Sequence, residues 1–156
     1  MCLTSIKSKN PEPTEGIGYR IMSLDLINDR RFLKSYYWVT NKRYKTRAWL
    51  DEKDYRSRID KKEKAIFINN VDHQLIYSYP FGFHFFFDFD VLKRYTYWQN
   101  FEDFVIKGTV VEGVAKPKSA IVKIKYKGLH TIGLQSFAVV GVAKFIKILK
   151  IIEVGW

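Results

Sequence analysis

Nine residues constrain this chain more than any others: Tyr79-Pro80-Phe81-Gly82-Phe83-His84-Phe85-Phe86-Phe87, a proline-glycine turn running straight into an almost wholly aromatic segment. Pro80 fixes φ and Gly82 tolerates a left-handed backbone, so the turn can be sharp. At the strand period of two, Phe83, Phe85 and Phe87 share one face, and His84 and Phe86 point to the other. This segment therefore predicts the centre of a β-rich core, with one ionisable side chain placed inside it.

A chain of 156 residues is the size of one domain, and it can bury a core without metal or disulfide help. Cys2 is the single cysteine, which excludes an intrachain disulfide and fits a reducing compartment. The N-terminal residues are polar and proline-containing, and the apolar C-terminal run is interrupted by Lys144, Lys147 and Lys150. Neither stretch reads as a signal peptide or a membrane span, so the expected location is the cytoplasm, with no membrane partner.

Periodicity supplies the remaining elements. Residues 1–16 read as an extended polar lead and residues 17–156 as a single domain. The alternation of Ile17, Tyr19 and Ile21 predicts a first strand. Residues 29–64 form a charged, aromatic-rich insertion in which Phe32 to Val39 and Arg43 to Leu50 are candidate strands. Ala65 to Ile68 predicts another strand, and Leu75 to Tyr77 leads into the central turn. One helix is expected at about residues 88–100, with Asp88 and Asp90 at its positive end and Val91, Leu92, Tyr95 and Trp98 on its buried side. Further on, Ala120, Val122, Ile124 and Tyr126 alternate with Ile121, Lys123, Lys125 and Lys127, the pattern of a half-buried strand with a basic outer face. Gly128 is expected to end that strand and Gly133 to allow another bend. Residues 144–152 read as strand from their β-branched content, although the three-residue lysine spacing also suits a helix. The predicted class is α+β: a mainly antiparallel sheet or partly open β-barrel with one covering helix.

Charge points to the class of partner. Lysine and arginine number 27 against 16 acidic residues, and from Val114 to Ile152 eight lysines occur with no acid. Such a surplus attracts polyanions, although it also serves to keep an aromatic-rich chain soluble. Lys123, Lys125, Lys127, Lys144 and Lys147 are candidates for tracking phosphates. Arg43, Lys45, Arg47 and Trp49 form a second basic-aromatic neighbourhood suited to stacking bases, and Tyr79, Gly82 and His84 mark the central turn as a third candidate region. Expected partners are nucleic acid, a nucleotide or a nucleoprotein complex.

Two other function classes stay open. Removal of Met1 would expose the amine and thiol of Cys2, and with His84 as base this would make an N-terminal-cysteine nucleophile. Alternatively, Cys2 and His84 are simply core residues. Exposed Tyr36, Tyr37, Trp38 and Trp156 would suit a protein-docking module. The histidines lack metal-ligand spacing, and Asp88 and Asp90 with Glu102 and Asp103 are explained more simply by the helix terminus. No metal or cofactor is expected.

Several of these residues also carry a resemblance. Met1-Cys2-Leu3, Gly18-Tyr19-Arg20-Ile21, Tyr79-Pro80-x-Gly82-Phe83-His84-x-Phe86, Ile124-x-x-x-Gly128-Leu129 and Val139-Val140-x-Val142-Ala143-Lys144-x-Ile146-Lys147-Ile148 together resemble a loosely defined family of small bacteriophage and mobile-element proteins. The resemblance implies a small accessory protein in the cytoplasm of a bacterial host cell, with interference against host antiviral defence, through a host nucleoprotein defence complex, as one role. It implies no active site, and residues 29–64 have no counterpart in it.

Overall fold

Two 18-residue strands, β8 (Lys118–Gln135) and β9 (Ala138–Gly155), form one long antiparallel hairpin on which the other elements are laid. The computed structural model describes residues 3–28, 30–35, 42–55, 66–70, 75–96 and 118–155. The preceding strands are β1 (Ser5–Lys9), β2 (Gly16–Ile27), β3 (Arg30–Ser35), β4 (Trp49–Asp51), β5 (Ile66–Asn70), β6 (Leu75–Tyr79) and β7 (Phe83–Phe86). A helix, α1, is described over 89–96.

Seven strands make one antiparallel sheet in the order β1-β8-β2-β7-β9-β4, with β3 added beside β2. Because β8 and β9 also pair with each other, β2, β8, β9 and β7 close into a ring. The closure is slight: β2 and β7 meet at the single pair Tyr19 and Phe86. This is the mainly antiparallel, partly open barrel with one helix that the sequence predicts. β5 and β6 form a separate hairpin that delivers the chain to the Pro80-Gly82 turn.

All four residues of β7 are buried, which explains its aromatic composition. Phe83 and Phe85 enter the interior cluster with Met22, Leu24, Val122, Ile124, Tyr126, Ile146 and Ile148. Phe86 joins an outer cluster with Ile21, Leu92, Tyr95, Ile121, Val140 and Val142, under α1. Phe85 stands at the middle of the ring, stacked on Tyr126 with centroids 4.3 Å apart and edge-on to Phe87 at 5.1 Å. Room for it comes from glycines: a Cβ on Gly18 or Gly141 would lie 2.5 Å from an atom of the Phe85 ring. Small residues on the neighbouring strands thus let one large ring fill a narrow barrel.

The helix begins where its acidic residues suggest. Asp88 Oδ1 accepts from the backbone N–H groups of Asp90 (2.8 Å) and Val91 (3.0 Å), an N-cap. Leu92 and Tyr95 are buried against the sheet. Trp98, and with it the remainder of the expected helix, lies outside the described residues.

Four boundaries differ from the sequence reading, each for a physical reason. Gly128 does not end β8. It takes φ +68° beside a register shift between Leu129 and Thr131, so the strand bends and continues. Gly133 is small because β1 crosses it closely, with the Ser5 carbonyl oxygen standing where a Cβ would need room. The polar lead therefore contains an edge strand, β1, paired with β8 from Ser5 to Lys9. Of the candidate strand Arg43 to Leu50, Trp49 and Leu50 enter β4, while Tyr44 forms an isolated bridge to Leu33.

Candidate nucleic-acid interface

Interior packing decides which face the lysines take. Val122, Ile124 and Tyr126 of β8 and Ile146 and Ile148 of β9 point inward, so Lys123, Lys125, Lys127, Phe145, Lys147 and Lys150 point out. The register then sets like charges against each other: Lys123 is directly opposite Lys150, and Lys125 directly opposite Lys147. Opposed residues in an antiparallel pair have Cβ atoms only about 4.5–5.5 Å apart, and like charges at that spacing destabilise the sheet. Neither lysine pair has an acidic partner among the described residues.

Neighbouring strands extend the rows. Ile17 on β2 is opposite Lys125, and Trp49 on β4 is opposite Lys147, giving Ile17, Lys125, Lys147 and Trp49 side by side across four strands. Tyr19, Lys123 and Lys150 form a parallel row. The ammonium groups of Lys127 and Lys147 sit 4.3 and 4.9 Å from the Trp49 ring centroid. Lys127 and Lys144 lie 5.1 and 5.2 Å from the Phe145 centroid. Cation–π attraction therefore gathers three lysines around two rings instead of letting them spread into solvent.

Two acids stand at the ends of the patch, and both are already engaged. Asp51, opposite Phe145, pairs with Lys53 at 3.7 Å, and Glu153, opposite Ile121, pairs with Lys93 at 3.3 Å. Between them the outer face of the hairpin carries Lys123, Lys125, Lys127, Lys144, Lys147 and Lys150. Along one strand, same-face lysines are about 6.6 Å apart, and between strands about 4.8 Å.

The other candidate residues fall elsewhere. Arg47 joins the edge of the patch, its backbone N–H donating to the Ile148 carbonyl at 2.9 Å. Arg43 is exposed with its guanidinium 3.8 Å from the Phe32 centroid, and Lys45 is exposed next to the buried Tyr44 in the chain. Tyr79 and His84 are buried on the α1 side of β7 and are not part of the exposed lysine face. Gly82 is a packing position, since a Cβ there would come within 2.6 Å of Val142 and 2.9 Å of His130 Nε2. Cys2, Tyr36, Tyr37, Trp38, Glu102, Asp103 and Trp156 lie outside the described residues. Lys150 belongs to the basic run read from the sequence, and its pairing with Lys123 is visible only in the register.

His84 is held neutral. The Leu3 N–H donates to the Tyr79 hydroxyl at 3.1 Å, and that hydroxyl is hydrogen-bonded to His84 Nε2, also at 3.1 Å. Burial, with the nearby Arg20 charge adding to it, lowers the pKa of His84 to about 3, against which a hydrogen bond to the Gly82 backbone works weakly. A base held that low has little affinity for a thiol proton. Burial also lowers His130, whose Nε2 lies 3.3 Å from the Phe81 carbonyl and Nδ1 2.8 Å from the Thr131 hydroxyl.

These two histidines set a pH dependence. The unfolded chain takes up a proton on His84 near its ordinary 6.5, while the folded chain does so only near 3. Between those values the unfolded state binds more protons, so stability falls as pH falls, by up to roughly 1 kcal/mol per pH unit from this group, with His130 acting in the same direction. Urea midpoints should drop from pH 7 to pH 4.5, and the His84 ring signal should not titrate above pH 4. A His84 midpoint near 6.5 would contradict the buried geometry.

No family model, curated protein or solved structure matches this chain.

Proposed function

We propose that this protein binds nucleic acid through the outer face of the β8–β9 hairpin, holding phosphates on the rows Lys123–Lys150 and Lys125–Lys147. The observation that carries this reading is the register itself. Two directly opposed lysine pairs cost the folded chain stability and no neighbouring acid among the described residues relieves them, whereas a polyanion laid across both strands would. Trp49 has Lys127 and Lys147 at its ring, so its part is to hold two ammonium groups in place, and recognition is of the backbone without base sequence. The resemblance to phage and mobile-element proteins supports an accessory role on nucleic acid or a nucleoprotein complex of the host, interfering with its defence.

Binding to a short labelled duplex and to a single strand across a salt series tests this. If all six lysines engage phosphates, log K should fall against log salt with a slope of about −5 on duplex and about −4 on single strand. Undetectable binding at low salt would sink the proposal.

A further inference from the structure

Arg20 points the opposite way from the lysines. It is opposite Val122 in the register and lies on the interior face of β2, in line with Met22 and Leu24. Its guanidinium carbon is 5.4 Å from the Phe83 centroid and 6.0 Å from that of Tyr44. Tyr44 in turn stacks on Tyr55 at 4.3 Å, and Tyr55 meets Phe83 at 5.9 Å, so the two rings against the cation are backed by a third. Among the described residues no carboxylate pairs with it. A half-buried guanidinium in an aromatic setting without a counter-ion is costly, and aromatic faces offset only part of that cost.

One arm of the group has a structural task. Beyond the single Tyr19–Phe86 pair the seam between β2 and β7 is open, and Arg20 Nη1 donates to the His84 carbonyl there at 2.7 Å. The remaining edge is unused. Nε is buried with no hydrogen-bond partner, and of the two terminal nitrogens it is Nη1 that bonds a described residue, Nη2 being the one whose N–H runs parallel to that of Nε. Nε and Nη2 together form the side-on fork with which arginine takes two oxygens of a carboxylate or phosphate. The contact at Nη1 locks the plane of the group and so fixes the direction of this fork.

From this we infer a second binding site, on the face of the sheet opposite the lysines: the Nε/Nη2 edge of Arg20 receives a small oxyanion, phosphoryl or carboxylate, against the wall of Phe83, Tyr44 and Tyr55. The site stands independently of nucleic-acid binding at the hairpin.

The test uses the full chain, ¹⁵N-labelled and carrying Lys125→Gln and Lys147→Gln to quiet the lysine face. Its arginine Nε–H signals are followed as inorganic phosphate, and separately acetate, is added. The Arg20 signal should shift saturably, with an apparent affinity about tenfold or more above that of exposed Arg47, as a bidentate pair requires. Response to phosphate alone assigns the site to phosphoryl ligands, and response to acetate as well extends it to carboxylates. Arg20→Lys, which keeps the charge and one donor to His84 but lacks the fork, should abolish saturable uptake while the lysine-face salt slope is unchanged. An Arg20 signal that moves no more than that of Arg47 with either anion overturns the inference, and this readout needs no Arg20 variant to fold.

Discussion

Replacing Lys125 and Lys147 together by glutamine should weaken nucleic-acid binding and strengthen the fold at the same time. Each phosphate that goes without its lysine at 0.1 M salt costs roughly tenfold in affinity, so the double variant should bind duplex up to about 100-fold more weakly, with a log–log salt slope shallower by about 1.8. The same change removes a directly opposed like-charge pair. Stability should rise by a few tenths to about 1 kcal/mol, read as a higher urea midpoint with an unchanged m-value. The opposite signs are what make the result diagnostic. A variant that had merely damaged the sheet would lose affinity and stability together, and lysines serving only for solubility would leave affinity unchanged.

Phe85→Ala should be the most damaging single change to the fold. The ring is fully buried, stacked on Tyr126, and lies between Gly18 and Gly141, which bring no side chain that can move into the space it leaves. Truncation of a buried phenylalanine that cannot be backfilled costs about 3–5 kcal/mol, a large share of the roughly 5–15 kcal/mol available to a domain. The urea midpoint reports this directly. Adding Gly141→Ala to the truncated chain should recover part of the loss, because the added methyl enters the cavity. In the wild-type background the same Gly141→Ala would meet the Phe85 and Phe87 rings and should destabilise instead. Loss of less than 1 kcal/mol on Phe85→Ala would mean that the ring does not occupy the centre of the barrel.

Much of the architecture was legible in local periodicity. The period-two sorting of Phe83 and Phe85 from His84 and Phe86 matches the two core clusters, Asp88 caps the helix, and the inward set on β8 is the alternating series ending at Tyr126. Local patterns failed where a residue's job depends on a distant strand. Gly128 and Gly133 look alike in sequence, yet one supports a bulge and the other yields space to β1. The segment Ser5 to Lys9 reads as a lead because an edge strand with two of its five residues exposed and none buried has little apolar patterning. Arg20 sits on the polar side of the Ile17, Tyr19, Ile21 alternation and would be given to solvent. On this strand that side is the barrel interior, which also takes Met22 and Leu24.

The candidate interface shows the same division. Alternating lysines on β8 were readable as a basic face. That Lys123 meets Lys150, that Lys125 meets Lys147, and that Trp49, from a distant part of the chain, closes the row are matters of register, fixed by the turn at Ser136 and the bulges that follow.

The central claim is that nucleic acid lies on the outer face of the hairpin, and lysine footprinting tests it most directly. Free and oligonucleotide-bound protein would be acetylated briefly at low salt and every lysine quantified by mass spectrometry. The account predicts protection of Lys123, Lys125, Lys127, Lys144, Lys147 and Lys150, with Lys7, Lys9 and Lys53 reacting as in the free protein. Equal reactivity of the six hairpin lysines with and without bound nucleic acid would contradict it.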